Sequence, residues 1–235
     1  MGKRDKKYKE ALTKFDRNQG YELSDALDVV KNIAFAKFDE TIEIHVKLGI
    51  DPRKSDQTVR GTTVLPNGTG KTPKVIVFTK GDKIAACEAA GADEVGGDEL
   101  IQKVKDGFSD FDIAVASPDM MGAVGKSLGR VLGPKMPNPR AGTVSPDPAK
   151  AVQELKSGKI QYRADKSGIV HCPVGKVSFP TEHLVENLRV LLEAIVKARP
   201  SAAKGAYLRS VCLSSTMGPA VKVDSQKAAA FAGVR

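Results

Sequence analysis

The clearest periodic signal in the chain lies between Thr41 and Leu48. Ile42, Ile44, Val46 and Leu48 alternate there with Thr41, Glu43, His45 and Lys47. A period of two predicts a β-strand with one face on a core and the other in water. The wet face carries a hydroxyl, a carboxylate, an imidazole and an ammonium, all able to hydrogen-bond a nucleotide. A solvated outer face is nevertheless the default for such a strand. A second strand is predicted after Tyr207, where Leu208, Ser210, Cys212 and Ser214 alternate with Arg209, Val211 and Leu213. It breaks at Gly218-Pro219, because proline cannot donate to a ladder, and a short strand at Val221–Val223 follows. The turn Ser214-Ser215-Thr216-Met217-Gly218-Pro219 combines three hydroxyls, a methionine with little reason to be exposed, and a glycine that admits a partner's backbone. The plain alternative is a hairpin tip with Met217 folded back onto the core.

Taken in order, residues 1–20 are basic and partly helical in composition. Ser24 is a good N-cap for a helix with Leu27, Val30, Ile33 and Ala34 on one face, ending near Lys37-Phe38. Asp51 to Pro66 reads as a polar stretch. Gly68-Thr69-Gly70-Lys71-Thr72 invites a phosphate-loop reading, but Leu65 stands where the first glycine belongs and Pro73 follows where a helix should run. Beyond it the rhythm is strand, helix, strand, helix. Val75–Phe78 is an apolar run of the buried, parallel kind. A helix capped by Asp82, a short strand at Ala92–Val95, and a helix capped by Asp98 and ended by Gly107 come next. Phe111–Ala116 is a strand, and Ser117-Pro118-Asp119 opens a third helix with proline at its favoured first position. This predicts an open α/β sheet with right-handed crossovers. No GxGxxG follows the first strand, which argues against a dinucleotide. Residues 133–148 form a rigid basic loop and Ala149–Lys156 a short helix. Ile160–Arg163 and Ile169–Val174 read as a hairpin around Asp165-Lys166-Ser167-Gly168. Thr181 to Arg199 is a long amphipathic helix, and 225–235 a loose tail.

Neither end can build a core alone, so the two fold together. The expected fold class is α/β: an α+β first domain of residues 1–67 plus 159–235, with an α/β second domain, 68–158, inserted into it. The first domain would be one antiparallel sheet backed by helices, with the Thr-Met-Gly turn on its edge strand. Two crossing strands would form a hinge.

The chain has 235 residues, 41% hydrophobic and 28% charged, the balance of a soluble globular protein. Met1 to Tyr8 has no apolar core behind it, so no signal peptide is expected, and no apolar run approaches the ~20 residues of a membrane span. Cys87, Cys172 and Cys212 are too scattered for a zinc site or disulfide framework and read as reduced thiols in the cytoplasm. Net charge is +9, and residues 74–156 hold 11 Lys/Arg against 12 Asp/Glu of the totals 37 and 28, leaving 26 against 16 for the two ends. Residues 82–119 are acidic and 120–158 basic. A basic excess confined to the ends favours a polyanion on the first domain. Two rival classes are an α/β nucleotide-binding enzyme and a DNA-binding protein. The enzyme lacks a site: His45, His171 and His183 are scattered, and no catalytic residue, metal ligand set or cofactor loop stands out. The DNA binder lacks a recognition helix rich in Arg, Asn or Gln.

Several stretches resemble a known family. They include Ala36-Lys37-Phe38-Asp39-Glu40-Thr41, Leu48-Gly49-Ile50-Asp51-Pro52-Arg53, Val59-Arg60-Gly61-Thr62 and Gly122-Ala123-Val124-Gly125. Leu128 to Pro134, Pro137-Asn138-Pro139, Pro173-Val174-Gly175-Lys176 and Ser214 to Pro219 continue the series in order. The chain resembles the bacterial large-subunit ribosomal protein one family, which forms the mobile stalk beside the tRNA exit site. The loop Gly133-Pro134-Lys135-Met136-Pro137 is shorter than the family's usual form. The resemblance implies a split domain that grips large-subunit ribosomal RNA, an inserted domain of Rossmann-like topology, and a structural protein with no catalytic activity. It also implies a role in release of deacylated tRNA from the exit site and repression of translation of its own operon messenger. By the same analogy it is a monomer off the ribosome, with no membrane partner. RNA contacts are expected from Phe38, Thr41 and Glu43 on the early strand and Ser210, Thr216, Met217 and Gly218 on the late one. These side chains suit the task. Hydroxyls and Glu43 can engage ribose 2′-hydroxyls, Phe38 and Met217 can shield those bonds from water, and Lys37 and Lys166 can lie against phosphates.

Overall fold

The computed structural model describes residues 6–81 and 83–233, so the helix cap expected at Asp82 lies outside it. Contacts divide the chain into two compact units, one of residues up to Gly70 and from Ile160 onward, the other of Lys71–Lys159. The fold is α/β, with eight α-helices and nine strands among the described residues. None of those helices is long and apolar enough to cross a membrane.

In the first unit, α1 (Lys6–Thr13) and α2 (Leu23–Ile33) precede β1 (Thr41–Leu48) and β2 (Arg60–Val64). After the second unit come β6 (Lys159–Arg163), β7 (Ile169–Lys176), α7 (Thr181–Lys197), β8 (Leu208–Ser215), β9 (Val221–Val223) and α8 (Ser225–Phe231). The main sheet has the order β7-β1-β8-β9, antiparallel throughout. The alternation in β1 does what its period predicts: Ile42, Ile44, Val46 and Leu48 are buried, while Thr41, Glu43, His45 and Lys47 are only partly covered. Val211 and Leu213 of β8 and Val170 and Val174 of β7 extend the apolar face, and Leu27 and Val30 of α2 with Leu184, Leu188, Leu191 and Leu192 of α7 cover it. Each such side chain contributes roughly 1.5–3 kcal/mol on burial, so a one-residue slip of β1, which would bury Glu43 and His45, is strongly disfavoured.

Several expectations are corrected. The Thr-Met-Gly turn does not lie on an edge strand: β8 is interior, because Val211 and Leu213 pair with Val223 and Val221 of β9. Ser24 is not a cap, since α2 starts at Leu23 with no side-chain cap, and it stops at Ile33 instead of Phe38. It stops early because the Glu40 carboxylate takes the amides of Phe35 and Ala36 out of the helical ladder. The expected hairpin does not form either. The turn is made, with Asp165 N–H on Ile169 O at 2.9 Å, but β6 pairs with β2 in a separate two-stranded sheet and β7 pairs with β1. The Tyr162 hydroxyl donates to Ala194 O at 3.0 Å, fastening β6 over α7. Lastly, the tail is helical: the Asp224 carboxylate caps α8 by accepting from Gln226 N–H and Lys227 N–H, and Ala228 is buried.

The second unit has β3 (Val75–Phe78), α3 (Lys83–Ala89), β4 (Glu94–Gly96), α4 (Asp98–Lys105), β5 (Ile113–Ala116), α5 (Met121–Leu132) and α6 (Pro148–Lys156). Its sheet is parallel, in the order β4-β3-β5, and all four residues of β3 are buried. Ile76 and Phe78 face α4 and α5 through Leu100, Ile101, Val124 and Leu128. Val75 and Val77 face α3 and α6 through Cys87, Val152 and Leu155. Helices on both faces explain why β3 reads as a continuous apolar run. Asp98 is the first helical residue of α4, with Gly97 in the cap position.

Candidate RNA interface

The residues on either side of β1 and β8 meet at one end of the main sheet, and a single carboxylate joins them. Glu40, only 2% exposed, accepts Phe35 N–H at 3.0 Å and Ala36 N–H at 2.8 Å on one oxygen and Met217 N–H at 2.9 Å on the other. Burial alone would raise its pKa, but the amides of Met217, Ala36 and Phe35 outweigh burial and hold the carboxyl below its ordinary range. Thr216 adds a second tie: its hydroxyl accepts Thr41 N–H at 3.0 Å and donates to Thr41 O at 3.3 Å. The Thr216 hydroxyl therefore fastens the turn to β1.

Two apolar side chains are left standing out of this clasp. Phe38 is 56% and Met217 52% exposed, so Met217 is not folded onto the core. Gly218 closes the turn with its N–H on Ser215 O at 3.2 Å, and a Cβ there would lie 2.5 Å from Ser215 Oγ. Asp39 accepts from the Ser178 hydroxyl at 2.8 Å, and Lys176 donates to Asp39 O at 3.2 Å and Thr41 Oγ at 3.0 Å. The loop from Phe35 to Glu40 is thus held from two sides.

Along the open face, Glu43 stands opposite Ser214 of β8 and Pro173 of β7, and Lys47 opposite Ser210. Lys166 is exposed in the turn before β7, where Lys47 donates to Ser167 O at 2.8 Å. The expected contact residues therefore fall into two groups. Lys37, Phe38, Thr41, Thr216, Met217 and Gly218 share one end, with Glu43 next to them. Ser210 and Lys166 belong to the other end, about 20 Å away at ~3.4 Å per strand residue. Beside Lys166 is a cleft of about 480 Å³ lined by Ile50, Gln57, Arg163 and Asp165 among others. Its cations, with Lys47, Lys176 and Lys222, suit a phosphate backbone.

Sequence reasoning missed Glu40, Asp39 and Lys176. Nothing local marks Glu40 as buried, since the helical pattern has ended and the alternation has not begun. Among the described residues, no group of three or more His, Cys, Asp or Glu side chains is placed to hold a metal ion.

The match to known proteins follows this geometry. The family model described as the ribosomal protein L1p/L10e family matches residues 30–219, from within α2 to the proline that ends the Thr-Met-Gly turn. That span takes in the Glu40 clasp, strands β7, β1 and β8 of the main sheet and the whole second unit. The chain belongs to the ribosomal protein L1p/L10e family, and is thereby a structural protein of the large ribosomal subunit that binds ribosomal RNA.

Proposed function

We propose that the protein grips large-subunit ribosomal RNA with the open face of its main sheet, centred on the end where Phe38 and Met217 project. Lys37, Phe38, Thr41, Glu43, Lys166, Ser210, Thr216, Met217 and Gly218 make the contacts. The observation that carries this reading is the Glu40 clasp: one buried carboxylate orders two loops whose only exposed large apolar side chains are Phe38 and Met217. Ordering exposed apolar groups at a cost in loop entropy is explained by a partner that covers them. Residues 1–67 plus 159–235 act as the RNA-binding domain and 68–158 as the inserted, Rossmann-like domain, and the RNA-bound protein forms the mobile stalk. The stalk assists release of deacylated tRNA from the exit site. Surplus free protein binds a copy of the ribosomal site in its own operon messenger and represses it, in the cytoplasm, as a monomer.

Filter binding of a ribosomal RNA fragment to the whole chain, to residues 1–67 joined to 159–235, and to 68–158 alone tests the assignment. The joined ends should hold most of the affinity. Strong binding by the insert alone sinks it. The regulatory part predicts a measurable but weaker dissociation constant for the messenger, at the same salt, and fails if the messenger is not bound.

A further inference from the structure

Midway between the two groups of contact residues lies a row of polar side chains that belongs to neither. His45 on β1 stands opposite His171 on β7, with their Nδ1 atoms 2.8 Å apart. The other ring nitrogen of His45, Nε2, lies 2.9 Å from Ser214 Oγ on β8. His171 Nε2 is 3.5 Å from the Asp165 carboxylate. Serine, histidine, histidine and aspartate thus form one line across three strands of the open face.

This line can be satisfied in two ways. In the first, the Ser214 hydroxyl donates to His45 Nε2, His45 Nδ1–H donates to His171 Nδ1, and His171 Nε2–H donates to Asp165. In the second, one proton is added and every direction between Ser214 and His171 reverses. His171 then carries both N–H groups, donating to Asp165 and to His45 Nδ1. His45 now carries its single proton on Nε2 instead of Nδ1 and donates it to Ser214 Oγ. Two ring protons have become three, and the Ser214 hydroxyl hydrogen is released to point away from the sheet. A third state, with a proton on each Nδ1, would set two N–H groups against each other at 2.8 Å, so the row takes up one proton only.

Within the row the geometry gives the added proton to the ring that faces a carboxylate, His171 beside Asp165. Burial, followed by the neighbouring His171, pushes the His45 imidazole below its usual range, against the pull of Glu43. Amides of Ile169 and Ser167 keep the Asp165 carboxyl below its usual range, so it stays anionic beside His171. Glu43 and Asp165 favour the proton. Lys47 on β1, Lys222 on β9 and Lys166 in the turn oppose it, and Cys212, opposite His45, is kept neutral by burial. An incoming phosphate shifts this balance toward uptake, meeting an imidazolium and a freed hydroxyl donor together.

We propose that the row Ser214–His45–His171–Asp165 is a phosphate-binding subsite of the RNA face that takes up one proton as RNA docks. The proposal rests on the reading of this face as the RNA surface. It is tested with the intact chain and a ribosomal RNA fragment at constant ionic strength between pH 5.5 and 8.5. Wild-type affinity should tighten by about tenfold from pH 8 to pH 6, by linkage to a single proton. His171→Gln should abolish that slope and bind more weakly than wild type at pH 6 by the same factor. Calorimetry in two buffers of different ionisation enthalpy, on wild type alone, should count a net uptake above zero and no greater than one proton, and no uptake counts against the proposal. A flat wild-type profile, an unchanged slope in His171→Gln, or an uptake of two protons overturns the proposal. Met217→Asp separates the two ideas. If it binds as wild type does, the face itself is wrong; if it binds weakly while the wild-type profile is flat, only the subsite is wrong.

Discussion

Glu40→Gln tests the clasp with almost no change of shape. The glutamine keeps one oxygen, which can still accept the amides of Phe35 and Ala36 at 3.0 and 2.8 Å. Its NH₂ group then faces Met217 N–H across the 2.9 Å now bridged by a carboxylate oxygen, donor against donor. A charge-assisted bond is worth about 1.5–3 kcal/mol, and stranding donors at a site 2% exposed adds about 1–3 kcal/mol. The expected loss is therefore about 3–5 kcal/mol, a large share of the roughly 5–15 kcal/mol that a domain holds. Rotating the amide to satisfy Met217 strands two amides instead of one, so no rotamer escapes. The chain has no tryptophan, so urea unfolding is best followed by far-UV circular dichroism, with hydrogen exchange at the Met217 amide as the local readout. The pH dependence supplies an internal control. The folded carboxyl titrates below its ordinary value of 4.5, so the unfolded chain binds the proton more readily. The contribution of Glu40 is thus complete above about pH 4.5 and is lost as pH falls through the folded value. The gap between wild type and Glu40→Gln should be constant from pH 6 to 8 and close in acid. A variant within 0.5 kcal/mol of wild type at pH 7, measured against a ~1 kcal/mol typical substitution, with an unprotected Met217 amide in both, would refute the reasoning.

Three further outcomes bear on the same end of the sheet. Thr216→Val breaks both bonds to the Thr41 backbone and should cost about 1–2 kcal/mol of stability and roughly tenfold in RNA affinity, while affinity within twofold of wild type counts against the turn. Met217→Asp alters a side chain 52% exposed, so unfolding should hardly change while RNA affinity in filter binding drops more than tenfold through like charge beside phosphate. Gly218→Ala forces a Cβ to 2.5 Å from Ser215 Oγ, which is buried and has little room to turn; the turn should shift and affinity fall about tenfold, and an alanine variant that binds like wild type would show that the glycine is dispensable.

Local pattern was sufficient wherever one element faces one environment. β1 was readable residue by residue because eight residues of strict alternation admit one buried face, and α7 because Leu184, Leu188, Leu191 and Ile195 recur at helical spacing. The apolar run of β3 announced a sheet covered on both sides. Elements that lean on distant partners were not readable. β2 lies in a two-stranded sheet with only partial burial, so no alternation betrays it inside a polar stretch. The turn after β6 looked like a hairpin because its own chemistry is right, yet its two strands go to different sheets. α8 escaped notice because its cap is local but its reason to exist is Ala228 packing on a core made elsewhere.

The amino-acid sequence by itself determined which side chains face outward on β1, and hence part of the chemistry the open face offers. It determined too, through ordered motifs along most of the chain, the family to which the protein belongs. Only the tertiary structure decided which of those side chains stand together. Glu40 and Met217 are 177 residues apart, as Thr41 and Thr216 are 175, and His45 meets His171 across 126. Periodicity records the face a residue presents, because that depends on its own strand. It does not record the neighbour across the ladder, because pairing is settled by burial summed over the whole sheet.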